Sequence, residues 1–427
     1  MPSIAPRVRA AAVAVALLIT VLLVSGAPIG IDYLAPPCDP YICDDGGPAV
    51  EALSDGDVGA FFAEQPPMGS FSLVLRAPFV AAADAMGGSP LTLYRAGALA
   101  CMLALMALAL SVGFTMARRG REWKVAALVP LGLLAGPVTS AALEFGHPEE
   151  LLAAALMVGA VIAAGRDRAL AAGLLLGCAV ATKQWAAMAA LPLLLALPRR
   201  RLWAVGSSAA SFALLTVPMM LGDWTRFWDA QKALTSDLPF ENTVTASNIW
   251  FHVAEGTTAP TMTPEGVQSI TMYSLDETIG HLTHPLVALL ALVATGAYWL
   301  RRRGANPEEI LQLVALIFLV RCVLDPLTYS YHHAPFLVAL VAYEALRRRV
   351  PVMSGVAIAS LLLMSHVIAP LKNADLINAF YLSWSLPMIG ALVLGVFFPD
   401  RLDAIGARLT PRRVRTRSAA SHTAPLP

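Results

Sequence analysis

Apolar residues run through this chain in long stretches, broken by short clusters of arginine or of acidic and turn-forming residues. A membrane-crossing α-helix needs about 20 mostly apolar residues. On that basis the pattern predicts spans near 8–27, 93–116, 124–143, 149–165, 168–182, 184–198, 202–221, 284–300, 309–325, 332–346, 352–371 and 379–398. The expected fold class is an all-α polytopic membrane protein of about 12 transmembrane helices, with two long loops at 28–92 and 222–283. The pair 168–182 and 184–198 is short for two full crossings, because about 15 helical residues rise only about 22 Å. A re-entrant or strongly bent hairpin is the alternative, tolerated where protein or a cavity surrounds it. The half-apolar stretch from Phe71 to Met86 predicts an amphipathic helix along the membrane surface.

The polar breaks assign the two sides. Arg7 and Arg9, then Arg118, Arg119, Arg121 and Lys124, then Arg166 and Arg168, Arg199–Arg201, Arg301–Arg303, Arg347–Arg349 and the six arginines of the tail fall at alternating connections. They are 23 of the 30 lysines and arginines, and the positive-inside rule makes that side cytoplasmic, with both termini. The expected location is the cell (plasma) membrane. The other side is acidic: residues 28–92 hold nine carboxylates against Arg76, and 222–283 hold eight against Arg226 and Lys232.

Composition adds little to this picture but excludes two classes. With 57% hydrophobic and 14% charged residues, the chain is not an ordinary soluble domain. No basic patch suggests nucleic acid. The first 27 residues have the layout of a signal peptide, but their apolar run is long for one, and an uncleaved first helix is the favoured reading. Cys101, Cys178 and Cys322 lie in apolar runs as packing residues, whereas Cys38 and Cys43 in an exported loop suit a small disulfide ring, with two free thiols as the alternative. Residues 404–427, rich in Arg, Ser, Thr and Pro, are expected to form a disordered cytoplasmic tail behind a membrane domain spanning 1–403.

Four clusters on the acidic side carry candidate chemistry. Asp44 and Asp45 lie just beyond the first span, where a carboxylate can act as general base toward an acceptor hydroxyl; an acidic, solvated loop is the plainer alternative. His147, Glu149 and Glu150 surround Pro148 at the start of a helix, where capping explains part of the charge. Lys183 sits at the tip of the short hairpin, placed to bind phosphate as a point charge or to snorkel to the surface. Arg321 and Asp325 share a helix face and are expected to pair, with Tyr329, Tyr331, His332 and His333 following at the boundary. An aromatic belt would account for the tyrosines but not for the arginine and the histidines. The acidic loop leaves room for a divalent metal, although no ligand spacing demands one.

Three segments then resemble the GT-C superfamily of membrane glycosyltransferases, most closely the polyprenyl-phosphate-mannose-dependent enzymes of glycosyltransferase family 87 and relatives. They are Asp45 with Glu51-Ala52-Leu53, Gly56 and Pro66-Pro67; Gly146-His147-Pro148-Glu149-Glu150-Leu151-Leu152; and Ala172-Gly173 through Gly177 to Thr182-Lys183-Gln184-Trp185 and Leu191-Pro192-Leu193. The boundary at Tyr331-His332-His333 is similar to a late outer loop of such enzymes. The chain has Phe61 or Phe62 where the family often has Tyr, and Glu149 and Glu150 where many relatives carry an amide. The resemblance implies transfer of a sugar from a polyprenyl-phosphate donor to an outer-surface glycan or glycolipid. Asp45, or Asp44 beside it, would be the base, and Lys183, Arg321, His332 and His333 would stabilise the departing lipid phosphate. A transporter or lipid flippase is the rival class. It fits many spans and an intramembrane arginine, but not the unpaired halves of this chain or its one-sided acidic loops.

Overall fold

The computed structural model describes residues 6–27, 44, 46–64, 69–233, 243–263, 266–301, 306–347 and 351–399. Asp45, Cys38, Cys43 and the tail 404–427 lie outside the described residues. The chain is mostly helical. Helix α1 spans Pro6–Ser25, and the first long loop folds into α2 (Gly47–Ser54), α3 (Val58–Ala63) and α4 (Ser70–Asp84). Then come α5 (Pro90–Arg118), α6 (Trp123–Leu134), α7 (Pro137–Glu144), α8 (Glu149–Ala164), α9 (Ala169–Val180), α10 (Ala190–Ala196), α11 (Arg201–Gly222) and α12 (Trp224–Ala233). After the second loop follow α13 (Glu277–Arg301), α14 (Pro307–Leu324), α15 (Ala334–Leu346), α16 (Val352–Leu363) and α17 (Ala374–Phe397).

Every predicted span coincides with helix, and seven helical stretches among the described residues are long and apolar enough to cross a membrane. The chain is therefore a polytopic membrane protein. The other predicted spans are shorter or lie in the interior. All thirteen residues of α15 are buried, as are nearly all of α14 after its first turn, so these two helices with α8 form the middle of the bundle. A helix apolar on every side belongs there. By contrast α1, α11, α13 and α16 leave most of their apolar surface uncovered by protein.

The short hairpin takes the bent form. Helix α9 has 12 residues, too few to cross, and the chain turns at Lys183 into a 3-10 segment, Gln184–Ala189, before α10. Gly173 and Gly177 explain how this stunted element is held. A Cβ on either would come within 2.0 Å of Ser207 Oγ or Ser211 Oγ of α11, so only glycine allows the two backbones to approach so closely. The spacing is that of small-residue contacts between membrane helices.

The expectation of an all-α chain needs one correction. The second long loop carries a three-stranded antiparallel sheet of β1 (Thr243–Val244), β2 (Glu255–Thr263) and β3 (Gly266–Ser274), in the order β1-β3-β2. The hairpin pairs Glu255 with Ser274 and Thr263 with Gly266. Its threonines, Val267, Ile270 and Tyr273 are strand formers, a local signal that the search for long apolar runs passed over. Val244, Phe251 and Leu275 form a small core beneath it.

Side-chain contacts show that the helix ends alternate between two ends of the bundle. At the basic end Arg119 joins Glu308 and the Leu346 carbonyl, Arg347 lies 3.7 Å from Glu309, and Arg301 reaches the Phe397 carbonyl. At the acidic end the first and second long loops meet the turns at 147, 183 and 325.

Candidate active site

The acidic end gathers its charges in two adjoining groups. The first rests on α4, where Leu73, Arg76, Ala77 and Val80 form one buried face. Arg76 is therefore an arginine on an apolar stripe, 1% exposed, and its guanidinium grips Asp44 through both oxygens, Nη1 to Oδ1 at 3.0 Å and Nη2 to Oδ2. Asp44 is itself only 6% exposed. Beside the pair lies a cavity of about 20 Å³, room for about one water, lined by Asp44, Glu51, Arg76 and Tyr94 among others. Glu51 on α2 faces the same region; partial burial first, then the charges of Asp44, Asp55 and Asp84, raise its carboxyl above the ordinary value.

The second group is built at the start of α8 and the Lys183 turn. His147 Nδ1 donates to Glu149 Oε1 at 3.0 Å, and Lys183 Nζ lies 3.0 Å from the same oxygen and 3.3 Å from Glu150 Oε1. Trp185 Nε1 donates to Glu150 at 3.4 Å. Over Trp185 sits the Arg321 guanidinium, 5.7 Å from the ring centre, which also pairs with Asp325 at 3.3 Å as the helix spacing predicts. The His147 ring lies 4.7 Å from Tyr331, which in turn stacks on Tyr329.

The two histidines part company. His332 Nδ1 accepts from the Tyr329 backbone N–H at 3.2 Å, so that nitrogen carries no proton. The ring is then neutral, with its proton on Nε2. His332 remains partly exposed. His333 is 2% exposed and meets the Tyr381 hydroxyl on α17 at 3.1 Å. Tyr331, Lys183, Arg321, His332, His147, Glu149 and Glu150 thus share one region, whereas His333 turns away into the helix packing.

The first loop and the Lys183 turn are physically joined. The N–H groups of Gly69 and Phe71 donate to the Thr182 and Ala181 carbonyls at 3.0 and 3.1 Å. A Cβ at Gly69 would stand 1.9 Å from the Ala181 oxygen, so the clasp requires glycine. Arg76 lies two turns further along α4, close enough that its charge and that of Glu149 act on each other. The second loop is tied to the same end: Asn248 Nδ2 donates to the Asp325 carbonyl, Trp250 Nε1 to the Leu324 carbonyl at 2.7 Å, and Asn378 Nδ2 to the Asn248 carbonyl.

Sequence reasoning gave no role to Arg76, Asn248, Asn378 or Tyr381, and took Trp185 only as part of the Lys183 segment. Arg76 left a trace, as the single cation of the acidic loop set on the apolar side of a helical stripe. The two asparagines had none, since their contacts with distant elements cross 77 to 132 residues. Among the described residues, no three or more His, Cys, Asp or Glu side chains are arranged to hold a metal ion.

Several buried polar atoms of this end have no partner among the described residues: Glu149 Oε2, Glu150 Oε2, Arg321 Nη1 and Arg76 Nε. Such atoms cost about 1–3 kcal/mol each when unsatisfied. Fold and side-chain placement together define a polytopic membrane protein whose acidic end gathers buried charges from loops and helix termini. Its sequence matches glycosyltransferase family 87 over residues 71–326, more than half of the chain, and the protein belongs to that family of GT-C membrane glycosyltransferases. The match covers α4, the Lys183 turn, Arg321 and Asp325. No curated protein matches the chain.

Proposed function

We propose that this glycosyltransferase takes its sugar from a polyprenyl-phosphate donor and passes it to a glycan or glycolipid at the outer face of the plasma membrane. The observation that carries the reading is the unpartnered Arg321 Nη1, buried beside Trp185 in the region that also holds Lys183 and His332. A phosphate monoanion or diester oxygen is the acceptor such a nitrogen lacks. Lys183 adds a point charge, and His332, being neutral, contributes an Nε2–H donor rather than a cation. Glu149 and Glu150 hold Lys183 in place and offset its charge. Tyr331 and His147 form its aromatic wall.

The base is a carboxylate of the first loop. Asp45 is the preferred residue, with Asp44 as the alternative. The tight Arg76 pair supports this order, because a carboxylate gripped through both oxygens is a poor proton acceptor, while it fixes the chain immediately before Asp45. In the step itself the acceptor hydroxyl loses its proton to the base, its oxygen bonds to the anomeric carbon, and the bond to the lipid phosphate breaks. The charge left on that phosphate falls to Lys183 and Arg321. Both termini then lie in the cytoplasm, and the donor reaches the site laterally from the outer leaflet.

Proteoliposomes supplied with a labelled polyprenyl-phosphate sugar test the proposal. Asp45→Asn is expected to lower transfer by about 10²–10⁴-fold, the usual worth of a general base, while insertion in the membrane stays normal. Lys183→Ala and Arg321→Ala should raise the KM for donor more than that for acceptor. Full activity in both Asp45→Asn and Asp44→Asn would overturn the assignment of the base, and equal effects on donor and acceptor would overturn the phosphate site.

A further inference from the structure

A second hollow lies at the opposite, basic end. It is a lateral crevice of about 450 Å³ between α1, α5 and α6, within the range of ligand pockets, about 300–1,000 Å³. Every residue lining it is apolar, and many are alanine, including Ala12, Ala16 and Ala127. Its lips are exposed: Val8 is 52%, Val15 56% and Leu131 47% accessible. The lining runs over Val8–Ile19 of α1, Leu110–Ala117 of α5 and Ala126–Leu134 of α6, so it opens beside the arginine clusters and reaches toward the middle of the bundle.

We infer that this crevice holds an acyl chain of an anionic phospholipid from the cytoplasmic leaflet, with its phosphate at Arg9. Two observations point to that occupant. Arg9, one residue beyond Val8 and one turn before Ala12, has a buried Nε with no partner among the described residues. A phosphate oxygen satisfies it, whereas the apolar walls cannot. The helix ends around the mouth also carry Arg7, Arg9, Arg118, Arg119 and Arg121 against two carboxylates, Glu122 and the Glu308 that pairs with Arg119. Such a rim attracts anionic lipid and repels the same rim of a second copy. A water-filled interior is disfavoured, because purely apolar hollows stay dry.

Native mass spectrometry of the full-length protein, with phosphatidylglycerol and phosphatidylcholine of the same acyl chains added in turn, tests this without any sugar transfer, so the result stands apart from the proposed reaction. Wild type is expected to retain phosphatidylglycerol in preference. Arg9→Gln should weaken that retention about five-fold, the worth of one cation near a lipid surface, leaving phosphatidylcholine unchanged. Ala127→Phe should fill the crevice and abolish retention of both lipids; should that variant not fold, Leu131→Trp at the exposed lip serves instead. Equal retention of the two lipids by wild type, or retention untouched by both Arg9→Gln and the filled variant, overturns the inference. A dimer lost on filling would assign the crevice to a second copy and overturn it as well.

Discussion

Asp44 and Arg76 face each other with almost no access to water, and neither tolerates loss of the other. Removing one member of such a pair leaves a buried charge, at a cost of about 3–5 kcal/mol. Arg76→Leu is therefore expected to lower the thermal unfolding midpoint in detergent markedly and to abolish transfer, and Asp44→Asn, which leaves the Arg76 charge buried without a counter-charge, should lower that midpoint as well. Glu51 behaves in the opposite sense. Its carboxyl is raised above 4.5 in the folded protein, so the folded state binds the proton more tightly than the unfolded one. Stability then falls as pH climbs from 4.5 through the raised value. Because Glu51 is only partly buried, Glu51→Gln should stabilise at neutral pH by only about 0.5 kcal/mol and should lose that advantage below pH 4.5; unfolding curves at pH 4 and pH 7.5 check it.

Among elements, α4 and the Lys183 turn behave as one unit through the clasp at Gly69. The added Cβ of Gly69→Ala meets the Ala181 backbone oxygen, which cannot swing aside as a side chain would. Overpacking of this kind costs about 1–3 kcal/mol, and the displacement is transmitted to Lys183 on one side and Arg76 on the other. The expected outcome is a rise in donor KM together with a fall in kcat, measured in the same vesicle assay. Gly59→Ala, a glycine of the same loop with room for a Cβ, should leave both constants nearly unchanged. The resemblance of residues 172–185 to family 87 was legible in the sequence as a motif, but its physical meaning was not. Gly173 and Gly177 serve contact with α11, and only Lys183 and Trp185 reach the charged region.

For the whole molecule, the site depends on two loops separated by well over a hundred residues. Asn378 on α17 and Asn248 of the second loop lock that loop to the end of α14, which presents Arg321 and Asp325. Asn378→Ala strands the Asn248 and Ala246 carbonyls in a buried place, at about 1–3 kcal/mol. Limited proteolysis should then cut the second loop faster, and Arg321-dependent donor binding should weaken while α4 and the first loop keep their protection. Protection lost equally in both loops would show that the acidic end unfolds as one body instead.

Run length and arginine placement determined by themselves that this chain is polytopic, where its long apolar helical stretches fall, and which end gathers acidic loops, because bilayer thickness and the charge bias of connections act on short stretches of sequence. The pairing of Arg321 with Asp325 was equally local, being four residues apart on one helix. Tertiary structure alone decided that Asp44 is held by Arg76, that Lys183 lies between two glutamates, that His332 is kept neutral while His333 joins α17, and that α14 and α15 occupy the interior. Each of these depends on contacts between residues far apart in the chain or on which side of a helix finds a neighbour, and neither apolar periodicity nor charge along the sequence carries that information.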